Sequence, residues 1–141
     1  MANNRLDGVN YLLSVLGVVP DDSLRIQRLL IKDHKTISWN KLYAQNHWAL
    51  RKKLADEIHT TVGWECKAQN IRPAKGPVII MLIAYKTRTI DPDNICAKLY
   101  IDGLKKSEVI VDDTPKYVDS VVTKSIKSKE NSLEIIIAEA I

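Results

Sequence analysis

Four acids of this chain have types and spacing that could do chemistry: Asp91, Asp93 and the adjacent Asp112 and Asp113. The first two lie in DPDN at 91–94, the last two close VIVDD, and Lys98 stands between the groups. A helix N-terminus is satisfied by one anionic cap, so the second acid of DPDN is left over. Pro92 suits a first helical turn and fixes φ, which stiffens the spacing of the two carboxylates. A helix over Asn94–Lys106 is roughly 20 Å long, and an extended return over Ser107–Asp113 covers roughly 23 Å. Such a return brings Asp112 or Asp113 to the level of Asp91 and Asp93. Three carboxylates at one point repel one another unless a cation neutralises them. Hard oxygen donors without a nearby thiolate or paired histidine select Mg²⁺ or Mn²⁺. Lys98, one turn beyond Asn94, could then hold a phosphate or stabilise charge developing on it. Its plainer reading is a surface pair with Asp102, four residues on. Spacing alone does not choose between a metal site and ordinary acidic caps and loops.

The elements that must position these groups follow from periodicity. SLRIQRLLIK, from Ser23 to Lys32, alternates partly and reads as a strand. Leu50, Leu54 and Ile58 make a helical stripe, on a helix expected to begin near Tyr43 and stop at Gly63. GWECKAQNIRPAKGP reads as a loop by its Gly and Pro content, with a short strand over part of it as the alternative. PVIIMLIAYK is the strongest strand signal, apolar enough for a sheet interior. The second helix runs from Asn94 to Lys106, with Asp93 as its expected N-cap and Lys105 and Lys106 at its negative end. VIVDD reads as short and extended. Tyr117–Ile126 and SLEIIIAEA read as strands joined by SKEN, paired as an antiparallel hairpin. The fold class is α/β (α+β): a mixed sheet of about four strands packed with two main helices. Residues 23–141 form the domain, and residues 1–22 an appendage. Tyr11, Leu12, Leu13 and Leu16 line one side of a short helix there, ended by Gly17 and Pro20.

Composition bounds the function. The chain has 141 residues, 45% of them hydrophobic and 27% charged, a globular balance that excludes a disordered or collagen-like chain. No apolar run reaches the roughly 18 residues of a membrane span, so no membrane partner is expected. Two cysteines, Cys66 and Cys96, argue against a disulfide scaffold and suit a reducing compartment. Residues 1–90 carry 14 Lys/Arg and 7 Asp/Glu, a net +7, whereas residues 91–141 carry 7 and 10, a net −3. A basic body beside an acidic focus suits a polyanion-binding surface next to a cation-binding point. Arg51, Lys52 and Lys53 follow Trp48 on the first helix and, with Lys32, Lys35 and Lys41, form a candidate phosphate-tracking surface. The alternative is a solvated helix face.

DPDNICAKLYIDGLKKSEVIVDD resembles the signature of RusA-like Holliday junction resolvases, small endodeoxyribonucleases of bacteria and phages. That pattern runs Asp-x-Asp-Asn, a Lys in the following turn, Asp and Leu on the same helix, then Asp-Asp some ten residues later. Asp91, Asp93, Asn94, Lys98, Asp102, Leu104, Asp112 and Asp113 match it in order. Two departures from the best-known member are one extra residue between Asn94 and Lys98, and Ile90 where that member has a basic residue, for which Arg88 is a substitute. SWNKLYAQNHWALRKKLADE is similar, more loosely, to the family's Asn-containing turn and basic helix. The likeness spans about residues 24–139. It implies a homodimeric mixed α/β fold and crossover junction endodeoxyribonuclease activity: Mg²⁺-dependent resolution of Holliday junctions by paired symmetric nicks, in DNA recombination and repair. Mn²⁺ is expected to substitute. Carried over by the resemblance, Asp91, Asp93 and Asp113 are metal ligands and Lys98 is the catalytic lysine. Asp112, Asn94 and Asp102 are supporting residues, with Lys41, Arg51, Lys52, Lys53 and Arg88 on the DNA. The implied partners are branched DNA and a second copy of the chain, in a bacterial or phage-infected cytoplasm. The rival expectations are a Mg²⁺ nuclease acting on flaps, forks or duplex, and a branched-DNA-binding module without catalysis.

Overall fold

The computed structural model of the protein describes residues 24–140, together with Ser14. The rest of the expected appendage, residues 1–22, lies outside the described residues. Four apolar segments form the strands β1 (Leu24–Lys32), β2 (Val78–Lys86), β3 (Val118–Lys127) and β4 (Ser132–Ala140). Three helices are described: a short α1 (Trp39–Tyr43), then α2 (Trp48–Ala68) and α3 (Ala97–Lys106). A 3₁₀ turn, Pro92–Asn94, precedes α3. The strands form one mixed sheet in the order β1-β4-β2-β3. β4 is antiparallel to both its neighbours, and β3 runs parallel to β2. The mixed α+β class with four strands is therefore as expected.

The expected β3–β4 hairpin is not formed. β2 lies between them, pairing Met81 with Ile136 of β4 and with Val122 of β3. The reason is hydrophobicity: VIIMLIAYK is buried on both faces and belongs in the interior, while VDSVVTKSIK carries enough polar residues for an edge. The SKEN connection crosses the end of β2 and is bonded to it, Ser128 N donating to Lys86 O (2.9 Å) and Thr87 N to Asn131 Oδ1 (3.1 Å).

Three helix boundaries also differ from expectation. The first helix is split at residues 44–47, and His47 caps α2 by accepting from Ala49 N at Nδ1 (3.1 Å). α2 then passes through Gly63 and the predicted loop beyond it as far as Ala68. Asp93 does not cap α3. Ile95 bridges to Ser38 and Cys96 N donates to Ile37 O (2.9 Å), so an extended pair separates the 3₁₀ turn from α3, whose N-cap is Cys96. Both main helices close on a left-handed residue, Asn70 (φ 55°) and Glu108 (φ 61°). In each case the next amide returns to the helix: Ile71 N to Cys66 O and Val109 N to Leu104 O, both 2.9 Å.

Alternation along the strands divides the core in two. Leu29, Ile80, Leu82, Leu133 and Ile135 face α2 and α3, meeting Ile58, Val62, Tyr100 and Leu104. Met81, Ile83, Tyr85, Ile136 and Ala138 form a second cluster on the opposite face. Tyr100 joins the first cluster to the β1–α1 loop: its hydroxyl accepts from Ile37 N (3.0 Å) and bonds His34 Nε2 (2.6 Å). Burial pushes the Tyr100 hydroxyl well above the usual phenol range.

Candidate nucleic-acid interface

The DPDN segment stands at the carboxyl end of β2 as an exposed turn. Asp91, Pro92 and Asp93 face solvent and Asn94 is half-buried. β3 holds this turn from one side: Thr123 Oγ1 donates to Pro92 O (2.9 Å), and Ile90 N to Ser125 Oγ (3.3 Å). The β1–α1 loop holds it from the other, with Asn40 N donating to Asn94 Oδ1 (3.3 Å). Asp91 makes no side-chain cap bond, and Asp93 lies in the first turn. Both acids thus ride on a backbone fixed by three separate elements.

The other expected acids are placed differently. The segment after α3 is folded into turns and bends, because Glu108 turns the chain and Val109 and Ile110 enter the core. Val109 O accepts from Ala74 N (2.8 Å), which holds this loop against the one before β2. The extended return expected for Ser107–Asp113 is therefore absent. Asp112 is engaged by Lys105 in the last turn of α3 (2.9 Å), and Lys105 holds its carboxyl below the usual range. Asp113 is exposed beside it, its own amide bonded to Asp112 Oδ1 (2.8 Å). Carboxylate oxygens are donors of the kind Mg²⁺ takes. Among the described residues, however, no three His, Cys, Asp or Glu side chains are grouped to hold a metal ion. Lys98 is exposed and lies 3.5 Å from Asp102.

The expected DNA contacts Lys41, Arg51, Lys52, Lys53 and Arg88 are all exposed. Lys52 is bonded to Asp56 (2.8 Å), as on an ordinary helix surface. Strand order reveals a second basic group. β1, β2 and β3 end at the same rim of the sheet, where Lys86 pairs with Lys127 across the ladder and Lys32 pairs with Ser132, the residue opposite Tyr85. Lys35 and Arg88 follow directly on β1 and β2, and both are exposed. Asp33 and Glu130 are the acids in the adjoining turns. Burial and then the ammonium groups of Lys35 and Lys41 pull Lys86 below the usual lysine range. Burial, Lys41 and Lys86 likewise lower His34. These cations converge beside the DPDN turn. Lys86 and Lys127 were missed in the sequence because only the parallel pairing of β2 and β3 makes them neighbours. His34 is bonded to the Tyr100 hydroxyl.

A cleft of about 580 Å³ between α2 and the end of α3 is lined by Asp56, His59, Trp64 and Lys106 among others, and contains none of the expected site residues. No helix among the described residues is long and apolar enough to cross a membrane. No protein-family model matches the chain, and no curated protein matches it.

Proposed function

We propose that this protein is a Mg²⁺-dependent, structure-selective endodeoxyribonuclease acting on four-way DNA junctions as a homodimer. The observation that carries the reading is the rim. Lys32, Lys35, Lys41, Lys86, Arg88 and Lys127 gather at one end of the sheet, from four separate segments, around an exposed turn bearing Asp91 and Asp93. Mutually repelling cations are costly without an anion to neutralise them, and a phosphate backbone is such an anion. The ordered likeness of residues 91–113 to the RusA-like signature supplies the reaction class.

In this reading Asp91, Asp93 and Asp113 hold the ion, and Mn²⁺ serves in its place. A divalent ion there supplies Lewis acidity and charge stabilisation for phosphodiester hydrolysis. The rim cations position the backbone, and Lys98, in the first turn of α3, leaves its surface pair with Asp102 to reach the phosphate. A twofold dimer presents two such turns to a twofold junction, as paired nicks require. The setting is DNA recombination and repair in a bacterial or phage-infected cytoplasm.

A second reading, a branched-DNA-binding module without catalysis, is favoured by one observation: among the described residues no three His, Cys, Asp or Glu side chains are grouped for a metal. Synthetic four-way junction, flap, fork and duplex, each with Mg²⁺ or with chelator, separate the readings. Nicking of the junction at symmetric positions, dependent on Mg²⁺, is expected. Junction binding with no cleavage under any divalent ion establishes the module, and preferential cleavage of flaps, forks or duplex reassigns the substrate.

A further inference from the structure

Trp39 stacks on Tyr43, and Trp48 on His47. Trp64, near the end of α2, is 72% exposed and has no ring or cation partner among the described residues. It lines two open clefts at once. One is the cleft of about 580 Å³ toward the end of α3, where Lys67 and Lys106 are exposed. The other, of about 820 Å³, lies toward β1 and is lined by Arg28 and Lys32. Thr60 is common to both. The indole is therefore a fin between two basic hollows. Among the described residues none of these four cations is ion-paired. The acids of the two clefts are already engaged: Lys52 donates to Asp56 (2.8 Å) and Gln69 Nε2 to Glu65 (2.8 Å).

Free cations beside engaged acids make a positive groove, and its fitting occupant is a polyanion. The exposed indole adds a flat apolar surface of the kind on which a base stacks. A chain that carries a phosphate and a stackable ring at every unit is a nucleic-acid strand, and its bases are free for a new partner only where it is unpaired. A duplex fits less well, because its bases are already stacked on one another. A protein fits less well too: three of the four cations are lysines, which protein interfaces avoid. Lys32 belongs both to this groove and to the rim beside the DPDN turn, so a strand leaving the rim enters the groove there. We propose that Trp64 is a stacking platform for an unpaired nucleic-acid strand, which crosses α2 from Lys32 and Arg28 to Lys67 and Lys106. That the strand is DNA rests on the reading above.

The test measures binding of a short fluorescent oligothymidylate to the full chain in chelator, where no metal-dependent cleavage intervenes. The native chain should bind it. Trp64→Ala should weaken binding about tenfold or more and leave the salt slope unchanged, since stacking releases no counterions. Trp64→Tyr should keep most of the affinity. Lys67→Ala with Lys106→Ala should make the slope shallower by about 1.4, at roughly 0.7 per phosphate contact of a single strand. Binding of blunt duplex should be the same in Trp64→Ala as in the native chain. Trp64 is exposed, so its variants should melt with the native chain. Absence of oligomer binding by the native chain, an unchanged affinity in Trp64→Ala, or an equal loss for duplex overturns the inference. Junction nicking with Mg²⁺ is measured separately. A chain that binds the oligomer through Trp64 yet cleaves nothing overturns the nuclease reading alone. A chain that cleaves, and whose Trp64→Ala variant binds the oligomer normally, overturns the stacking platform alone.

Discussion

Lys98 stands 3.5 Å from Asp102 with its side chain 61% exposed, a geometry that by itself contributes little to stability. The catalytic reading asks more of the same ammonium. If it acts on the developing charge of the phosphate, Lys98→Ala slows single-turnover cleavage of bound junction about a hundredfold while binding changes little. A near-normal rate in a folded variant reduces Lys98 to its surface pair. Asp93→Asn should abolish Mg²⁺-dependent cleavage and leave junction binding intact or tighter, because a ligand charge is lost and repulsion of DNA falls. Equal loss of both in a gel-shift and cleavage comparison removes Asp93 from the metal set. Glu139 is a structural counterpart with a definite pH signature. Burial pushes its carboxyl up, but bonds from Gly76 N, Lys75 N and Arg25 together outweigh this and hold it below the usual range. A carboxyl lowered in the folded state stabilises above its unfolded pKa, and that contribution is lost as pH falls through the folded value. Glu139→Gln should therefore cost about 2 kcal/mol at pH 7 and progressively less below about pH 4, by chemical denaturation.

The two main helices meet at a close approach that their glycines permit. A Cβ on Gly103 would lie 3.0–3.2 Å from all three side-chain carbons of Val62, which is fully buried and β-branched. Gly103→Ala should therefore destabilise by about 1–3 kcal/mol through overpacking. Gly63→Ala meets only Ser107 Oγ at 3.4 Å and should stabilise by up to about 1 kcal/mol through helix propensity, the opposite sign in the same melting experiment. Gly63 shows why helix ends were hard to read. Glycine marks both a stop and a close helix contact, and only Ser107 across the interface says which. The true stop falls to Asn70, whose left-handed φ is the other solution to the same ending. Local pattern did reveal α3, which ends at Lys106 as expected and buries Ile101 and Leu104, three residues apart, on one face. Its start was not legible, since Ile95 and Cys96 are drawn out by Ser38 and Ile37, more than 50 residues earlier.

At the scale of the whole molecule, alternation indicated which residues are buried but not which strands are neighbours. β2, β3 and β4 were each legible as segments, while the insertion of β2 between the other two depends on comparing their hydrophobicities across the sheet. The same holds for the basic surface. Arg51, Lys52 and Lys53 were visible as a run, but the rim formed by Lys32, Lys86 and Lys127 exists only after the strands are ordered. The two surfaces make different predictions. Lys32→Ala with Lys127→Ala should weaken junction binding and make the slope of log K against log salt shallower by about 1.8, at roughly 0.9 per lost phosphate contact. An unchanged slope moves the DNA path to α2, where Arg51→Ala with Lys53→Ala would then carry the effect. The sheet order also governs how the chain is made. β1 pairs only with β4, whose first residue lies 100 positions beyond the last residue of β1. At about 5–20 residues per second, β1 waits on the order of 5–20 s for a partner during synthesis. For that interval the nascent chain has two hydrogen-bonding strand edges without their permanent neighbour, one on β1 and one on β2. The period before β4 emerges is therefore when this protein is most exposed to aggregation and most dependent on chaperones.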